Sequence, residues 1–265
     1  KSIARKYRPA LVLMISLWST HIQSQSDWFW IQPKPQGNRL TSIEFVDRNN
    51  GCAVGDVGTI VRTTNAGQTW FTVPSPRAVD LYGVDFAKGN PNILVAVGDS
   101  GRILRSSNGG NNWYIVNTFP GVIFQDFDFA TSTDGYAVGL AGKIYKTTNA
   151  GQTWAQQFSP SAASFRSVNF YDANYGIIGG DRRVMITSNG GVNWFSQNLN
   201  LVQFEQAVGV ACVDSMLFYA ATNYDGGRVF RSTNGGVVWD TTKLNIPDQF
   251  GGSDILRHMS FGTKN

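Results

Sequence analysis

Thr63-Thr-Asn-Ala-Gly-Gln-Thr-Trp70 returns, residue for residue, as Thr147-Thr-Asn-Ala-Gly-Gln-Thr-Trp154. Looser copies read Ser106-Ser-Asn-Gly-Gly-Asn-Asn-Trp113, Thr187-Ser-Asn-Gly-Gly-Val-Asn-Trp194 and Ser232-Thr-Asn-Gly-Gly-Val-Val-Trp239. Successive tryptophans are 43, 41, 40 and 45 residues apart. A period of roughly 40–45 residues is what one four-stranded propeller blade requires. The five in-phase copies therefore predict an all-β propeller with five full blades.

Working outward from each block, three strands precede it. A glycine-bounded or basic run such as Gly101-Arg-Ile-Leu-Arg105 or Gly142-Lys-Ile-Tyr-Lys146 reads as the third strand, because β-branched and aromatic residues between turn signals mark strands. Before it lies a small-residue strand, Cys52-Ala-Val-Gly55, Val95-Ala-Val-Gly98, Tyr136-Ala-Val-Gly139 or Ile177-Ile-Gly-Gly180. Earlier still comes an alternating strand, Ile43-Glu-Phe45, Val84-Asp-Phe86, Phe127-Asp-Phe129, Val168-Asn-Phe170 or Val210-Ala-Cys212, with the period of two expected of a half-buried strand. Within the block, Asn65, Asn108, Asn149, Asn189 and Asn234 are expected to bond the turn backbone and to tolerate a left-handed conformation. The glycine at the fifth position supplies positive φ. Trp70, Trp113, Trp154, Trp194 and Trp239 are expected to open the fourth strands as buried anchors near the blade rims.

The block resembles the Asp-box of bacterial neuraminidase repeats. With the preceding Ala-Val-Gly-Asp phrase, as in Ala53-Val-Gly-Asp56 and Ala96-Val-Gly-Asp99, the chain from about Trp28 onward is similar to the photosystem II stability/assembly-factor-like propellers. That resemblance implies a seven-bladed, non-enzymatic protein that binds other proteins. One departure is consistent, since all five blocks carry Asn where the family pattern has Asp. The turn keeps its hydrogen bond and loses the charge, so no metal is expected there.

The N-terminus carries Lys1, Arg5, Lys6 and Arg8, then the uncharged run Ala10–Trp18, then a polar stretch to Asp27. That layout is a secretory signal peptide, read here as residues 1–24, with the propeller domain at 25–265 and a periplasmic or extracellular destination in a bacterium. The apolar run is too short to span a membrane, which needs about 20 residues, and no cysteine follows it to carry a lipid anchor. The formal net charge of +4 rests on those four leader residues, so the remaining domain is neutral. Neutrality gives no general attraction for phosphate, and nucleic acid is not expected as a partner. Cys52 and Cys212 fall at different places in different repeats and are expected to be unpaired buried hydrophobes.

Catalytic chemistry has little material. Glu44 and Glu205 are the only glutamates, and His21 and His258 the only histidines. No Ser-His-Asp triad, zinc site or phosphate loop can be assembled from them, and no cofactor is implied. A sialidase-like or endoglucanase-like protein that acts on or binds a glycan is the alternative, and it would need two converging carboxylates. Glu44, Asp85 and Asp128 recur at one position of the innermost strand. They read as solvated strand residues, or else as an acidic ring facing the channel.

Basic residues flank every third strand. Arg102, Lys143, Arg183 and Arg228 stand at its start, beside the turn acids Asp56, Asp99, Asp181 and Asp225; Arg62, Arg105, Lys146 and Arg231 stand at its end. They read as local pairing with the turn acids or stacking on the box tryptophan, or as a basic rim for an acidic partner. The rim candidates are Arg102, Lys143, Arg183 and Arg228. At the termini, Trp28–Pro33 reads as a fourth strand and Ile255–Phe261 as a first strand. A longer, seven-bladed parent, an open gap between the first and last blades, or a repeat array inside a larger surface protein are the expectations that follow.

Overall fold

The computed structural model describes residues 37–223 and 227–243. The leader, the stretches Trp28–Pro33 and Ile255–Phe261, Asp225 and both histidines lie outside the described residues. The elements below all belong to the compact unit that begins at Asn38.

Five four-stranded antiparallel sheets follow one another, each a simple meander. Blade one holds β1 (Leu40–Phe45), β2 (Gly51–Gly55), β3 (Ile60–Thr63) and β4 (Phe71–Thr72). Blade two holds β5 (Leu81–Phe86), β6 (Leu94–Gly98), β7 (Arg102–Ser106) and β8 (Tyr114–Thr118). Blade three holds β9 (Phe124–Phe129), β10 (Gly135–Gly139), β11 (Ile144–Thr147) and β12 (Ala155–Gln156). Blade four holds β13 (Phe165–Phe170), β14 (Gly176–Gly180), β15 (Arg183–Thr187) and β16 (Phe195–Gln197). Blade five holds β17 (Ala207–Cys212), β18 (Phe218–Thr222), β19 (Arg228–Ser232) and β20 (Asp240–Lys243). The only helical elements among the described residues are three single 3-10 turns in the hairpins between second and third strands. The fold is the expected all-β propeller.

Innermost strands pack side by side in chain order, β1 on β5, β5 on β9, β9 on β13 and β13 on β17, and no comparable packing joins β17 to β1. The cores lie between blades rather than within them. Phe124, Phe127 and Phe129 of blade three join Val95, Val97 and Ile103 of blade two. Phe165, Val168, Phe170 and Trp194 of blade four join Tyr136, Val138 and Ile144 of blade three. Second strands are buried along their whole length in blades one to four, which is why their sequence is small and apolar. Gly55, Gly98, Gly139 and Gly180, which end those strands, are in extended backbone but lie directly against the chain entering the innermost strand. A Cβ there would collide with main-chain atoms, so the recurrent glycine answers to close approach, not to φ.

Each innermost strand also carries a register shift near its start, at the same point in all five blades. An extra residue there bends the strand and increases its twist.

Candidate functional site

The asparagine box is a self-contained hydrogen-bonded turn. In the first copy the amide of Gly67 donates to Thr63 Oγ1 (3.0 Å), the amide of Thr69 donates to Asn65 Oδ1 (2.9 Å), and Thr63 Oγ1 meets Asn65 Oδ1 at 3.0 Å. The same bonds recur around Asn108, Asn149, Asn189 and Asn234. Asparagine is not the left-handed residue. Positive φ falls on the two residues after it, Ala66 and Gly67, Gly109 and Gly110, Ala150 and Gly151, Gly190 and Gly191, and Gly235 and Gly236.

The tryptophans precede the fourth strands by one residue. Trp113 and Trp194 are buried, while Trp70, Trp154 and Trp239 are half-buried. Trp113, Trp154 and Trp239 donate Nε1–H to the carbonyl of the box glycine, at 3.0–3.1 Å. Trp194 Nε1 has no partner among the described residues.

The basic residues at the ends of third strands lock each blade to the box of the next. Arg62 donates to Asn111 Oδ1 (2.8 Å), Arg105 to the Ala150 carbonyl (2.7 Å) and Lys146 to the Gly190 carbonyl (3.1 Å). In blade four Ile186 replaces the cation and packs against Gly236. Arg231, the last of the set, is exposed.

At the opposite ends of the third strands stand Arg102, Lys143, Arg183 and Arg228, all half-buried. The meander places them on the face that also carries the loops running from each fourth strand to the next blade. Their surroundings differ. Arg228 donates from Nε to Glu205 Oε1 (2.9 Å) and from Nη2 to Glu205 Oε2, and it lies over the Phe230 ring. Glu205 is fully buried, so this pair belongs to the blade-four to blade-five joint. Arg102 and Arg183 each bury a guanidinium Nε with no partner among the described residues. Lys143 lines a shallow open groove of about 450 Å³ with Gln157, Phe158 and Ser161. Phe158 and Phe204, on two of those loops, are each 80% exposed.

The turn acids take other partners. Asp56 pairs with Arg39 (3.1 Å), Asp99 accepts the Ser100 amide (2.7 Å), and Asp181 meets Arg166 (3.5 Å) and Gln206 (2.9 Å). No described arginine of this ring stacks on a box tryptophan; the cation–ring contacts are Arg228 on Phe230 and Lys146 on Tyr136.

The innermost acids are not merely solvated. Asp85 and Asp128 are half-buried and stitch blades together. Asp85 Oδ2 accepts the amide of Phe129 (2.7 Å) and Asp128 Oδ2 that of Phe170 (2.9 Å). Asn169 Oδ1 does the same for Cys212 (2.9 Å), and Asp126 Oδ2 for Val168 (2.9 Å). The recurrence of this position is written in the sequence but its bonds are not, because each partner lies 42–44 residues away. Cys52 and Cys212 are unpaired and buried, and burial pushes both thiols up to about 12. Among the described residues no His, Cys, Asp or Glu cluster is arranged to hold a metal, and no helix is long and apolar enough to cross a membrane, which leaves β-barrels unaddressed.

A family model described as "Photosynthesis system II assembly factor YCF48" matches residues 115–253. That is just over half of the chain, and the chain belongs to this family. A curated relative, the "Photosystem II assembly lipoprotein Ycf48" of Prochlorococcus marinus (strain MIT 9312), is 37% identical over 139 residues, which are 50% of this chain and 40% of the relative. The match thus spans well under half of that relative's length. Among solved structures, "YCF48 bound to D1 peptide" superposes with a TM-score of 0.54 at 16% identity, over 78% of this chain and 83% of the other. An ancestral GH74 enzyme superposes with a TM-score of 0.64 at 18% identity, over 78% of this chain and 31% of the enzyme. At such identities both likenesses concern the fold alone. Both the family and the curated relative are described as photosystem II assembly proteins.

Proposed function

We propose that this propeller is an extracytoplasmic assembly factor that holds a segment of a protein partner against the face carrying Arg102, Lys143 and Arg183. Family membership supports an assembly role, and the relative described as bound to D1 peptide supports a peptide as ligand. The observation that carries the choice of face is the pairing of unspent cations with exposed rings. Arg102, Lys143 and Arg183 make no ion pair among the described residues, and Phe158 and Phe204 stand 80% exposed on the neighbouring loops. Such a surface suits a peptide with carboxylates beside apolar side chains, since complementary charge steers the encounter while buried rings supply affinity. Arg228 is assigned to the fold, because its charge is matched by buried Glu205.

The test uses labelled peptides tiled along the D1 protein, titrated against the wild type and an Arg102→Glu/Lys143→Glu/Arg183→Glu triple variant. Binding that weakens with added salt and is lost in the triple variant is the expected result. Equal binding by both proteins moves the site to another face. No peptide binding, together with binding of xyloglucan oligosaccharides, replaces the protein-partner reading with the glycan one.

A further inference from the structure

Four Asn-Gly pairs occur in the chain, and three of them are box turns: Asn108-Gly109, Asn189-Gly190 and Asn234-Gly235. The fourth, Asn50-Gly51, lies at the start of β2, outside any box. The boxes of blades one and three read Asn65-Ala66 and Asn149-Ala150 instead. An asparagine followed by glycine is chemically labile, because no Cβ keeps the next amide nitrogen from the carboxamide carbon. The glycine nitrogen bonds to Asn Cγ, the Cγ–Nδ2 bond breaks, and ammonia leaves with the displaced amide proton. Water then opens the cyclic imide at either carbonyl, giving aspartate or isoaspartate.

The fold holds both reacting groups away from this path. The amides of Gly109, Gly190 and Gly235 donate to the carbonyls of Asn92, Asn174 and Met216, each at 2.9 Å. Each asparagine Oδ1 accepts the amide four residues on, at 2.8–2.9 Å, which fixes the carboxamide. To react, the glycine amide must leave its carbonyl and the turn must come apart. What differs among the three boxes is the hold of the preceding blade. Gly190 is buried, and its carbonyl accepts Tyr136 Oη–H (2.6 Å) and Lys146 Nζ (3.1 Å) from blade three. Blade two has a single relay, in which Arg62 donates to Asn111 Oδ1 (2.8 Å) and Asn111 Nδ2 donates to the Asn108 carbonyl (2.6 Å). For blade five Ile186 stands where the cation would be, and its contact with Gly236 is apolar.

We propose that Asn108, Asn189 and Asn234 are deamidation sites gated by the blade joints, reacting in the order Asn234, Asn108, Asn189. Each event adds one negative charge to a box. The aspartate product keeps an oxygen for the amide four residues on, so the turn survives. Isoaspartate adds a carbon to the main chain inside the turn and shifts the fourth strand that follows. A joint that has opened is thereby marked by a covalent change in the box it held.

Folded protein incubated at mildly alkaline pH, digested at intervals and mapped by mass spectrometry, tests this. Each site's rate is divided by its rate in the denatured chain, which removes the influence of neighbouring residues. All three sites should be slower in the folded protein. Asn234 should outpace Asn189 by at least about tenfold, the factor that one or two hydrogen bonds are worth in an opening equilibrium. Tyr136→Phe/Lys146→Met, which removes both donors to the Gly190 carbonyl, should bring Asn189 up toward Asn234 and leave Asn108 unchanged. Folded rates equal to denatured ones, or Asn189 reacting as fast as Asn234 in the wild type, overturn the proposal. An unchanged Asn189 rate in the folded double variant overturns it too. If that variant does not fold, the order of the three wild-type rates decides alone.

Discussion

Phe45 and Phe129 occupy the same place, the last residue of the innermost strand, in blades one and three. Phe129 is fully buried and Phe45 is 38% exposed. The same contrast runs through the whole blade. Leu40 and Ile43 on β1 are 40% and 54% exposed, whereas every apolar position of β9 is buried. Box glycine Gly151 lies against Val95 and Arg105 of the blade before it, but the nearest atoms to Gly67 are those of its own Trp70. Local sequence is nearly identical, so the difference is made by the neighbour. Each blade's apolar face is covered by the blade that precedes it, and no blade among the described residues precedes β1. A blade of this type is thus half of a joint, not an independent unit of stability.

The largest expected effect follows from that asymmetry. Phe129→Ala should destabilise the chain by about 3–5 kcal/mol, the usual cost of deleting a buried ring. Phe45→Ala should cost less than about 1 kcal/mol, since much of its surface never leaves water. Denaturant midpoints for the two variants measure this directly, and equal losses would break the comparison.

The boxes sharpen it from the other side, because their hydrogen bonds are internal to each blade. Asn65→Ala and Asn149→Ala should both cost about 1–2 kcal/mol, the range for losing a capping side chain that satisfies backbone amides. A much smaller loss at Asn65 would mean that the turn, too, depends on a preceding blade. Smaller still is the effect of the third-strand cations. Arg105→Met should cost about 1 kcal/mol by leaving the Ala150 carbonyl without its donor. Arg231→Met, at an exposed position, should fall within about 0.5 kcal/mol of wild type.

The repeat period and strand order could be read from the chain because they are written in residues with no substitute. Tryptophan and the box glycine each answer a fixed steric demand and recur in all five blades, and the second-strand glycine recurs in four, with Thr222 in its place in blade five. The stitches between blades are chemically degenerate. Asp85, Asp128 and Asn169 all accept an amide from the next blade, so the position varies in charge while its function stays constant. A carboxylate at such a position looks like an ordinary polar residue on a half-buried strand. The reach of Lys88 to the Phe170 carbonyl of blade four depends on the curvature of the inner wall, which no periodicity encodes. The basic ring was visible as a pattern, but its members part company in three dimensions. Glu205, which claims Arg228, lies in a loop outside the repeat and could not have been matched to it by register.

Hydrogen exchange of the innermost-strand amides tests most directly whether each blade is stabilised by the one before it. The Phe129 and Phe170 amides bond to carboxylates of the preceding blade. The equivalent amide of blade one, that of Phe45, has no such neighbour among the described residues. After correction for intrinsic rates, Phe129 and Phe170 should be protected at least about 100-fold more than Phe45, a gap of nearly 3 kcal/mol in local opening. Comparable protection at all three positions would contradict joint-by-joint stabilisation and make each blade stable by itself.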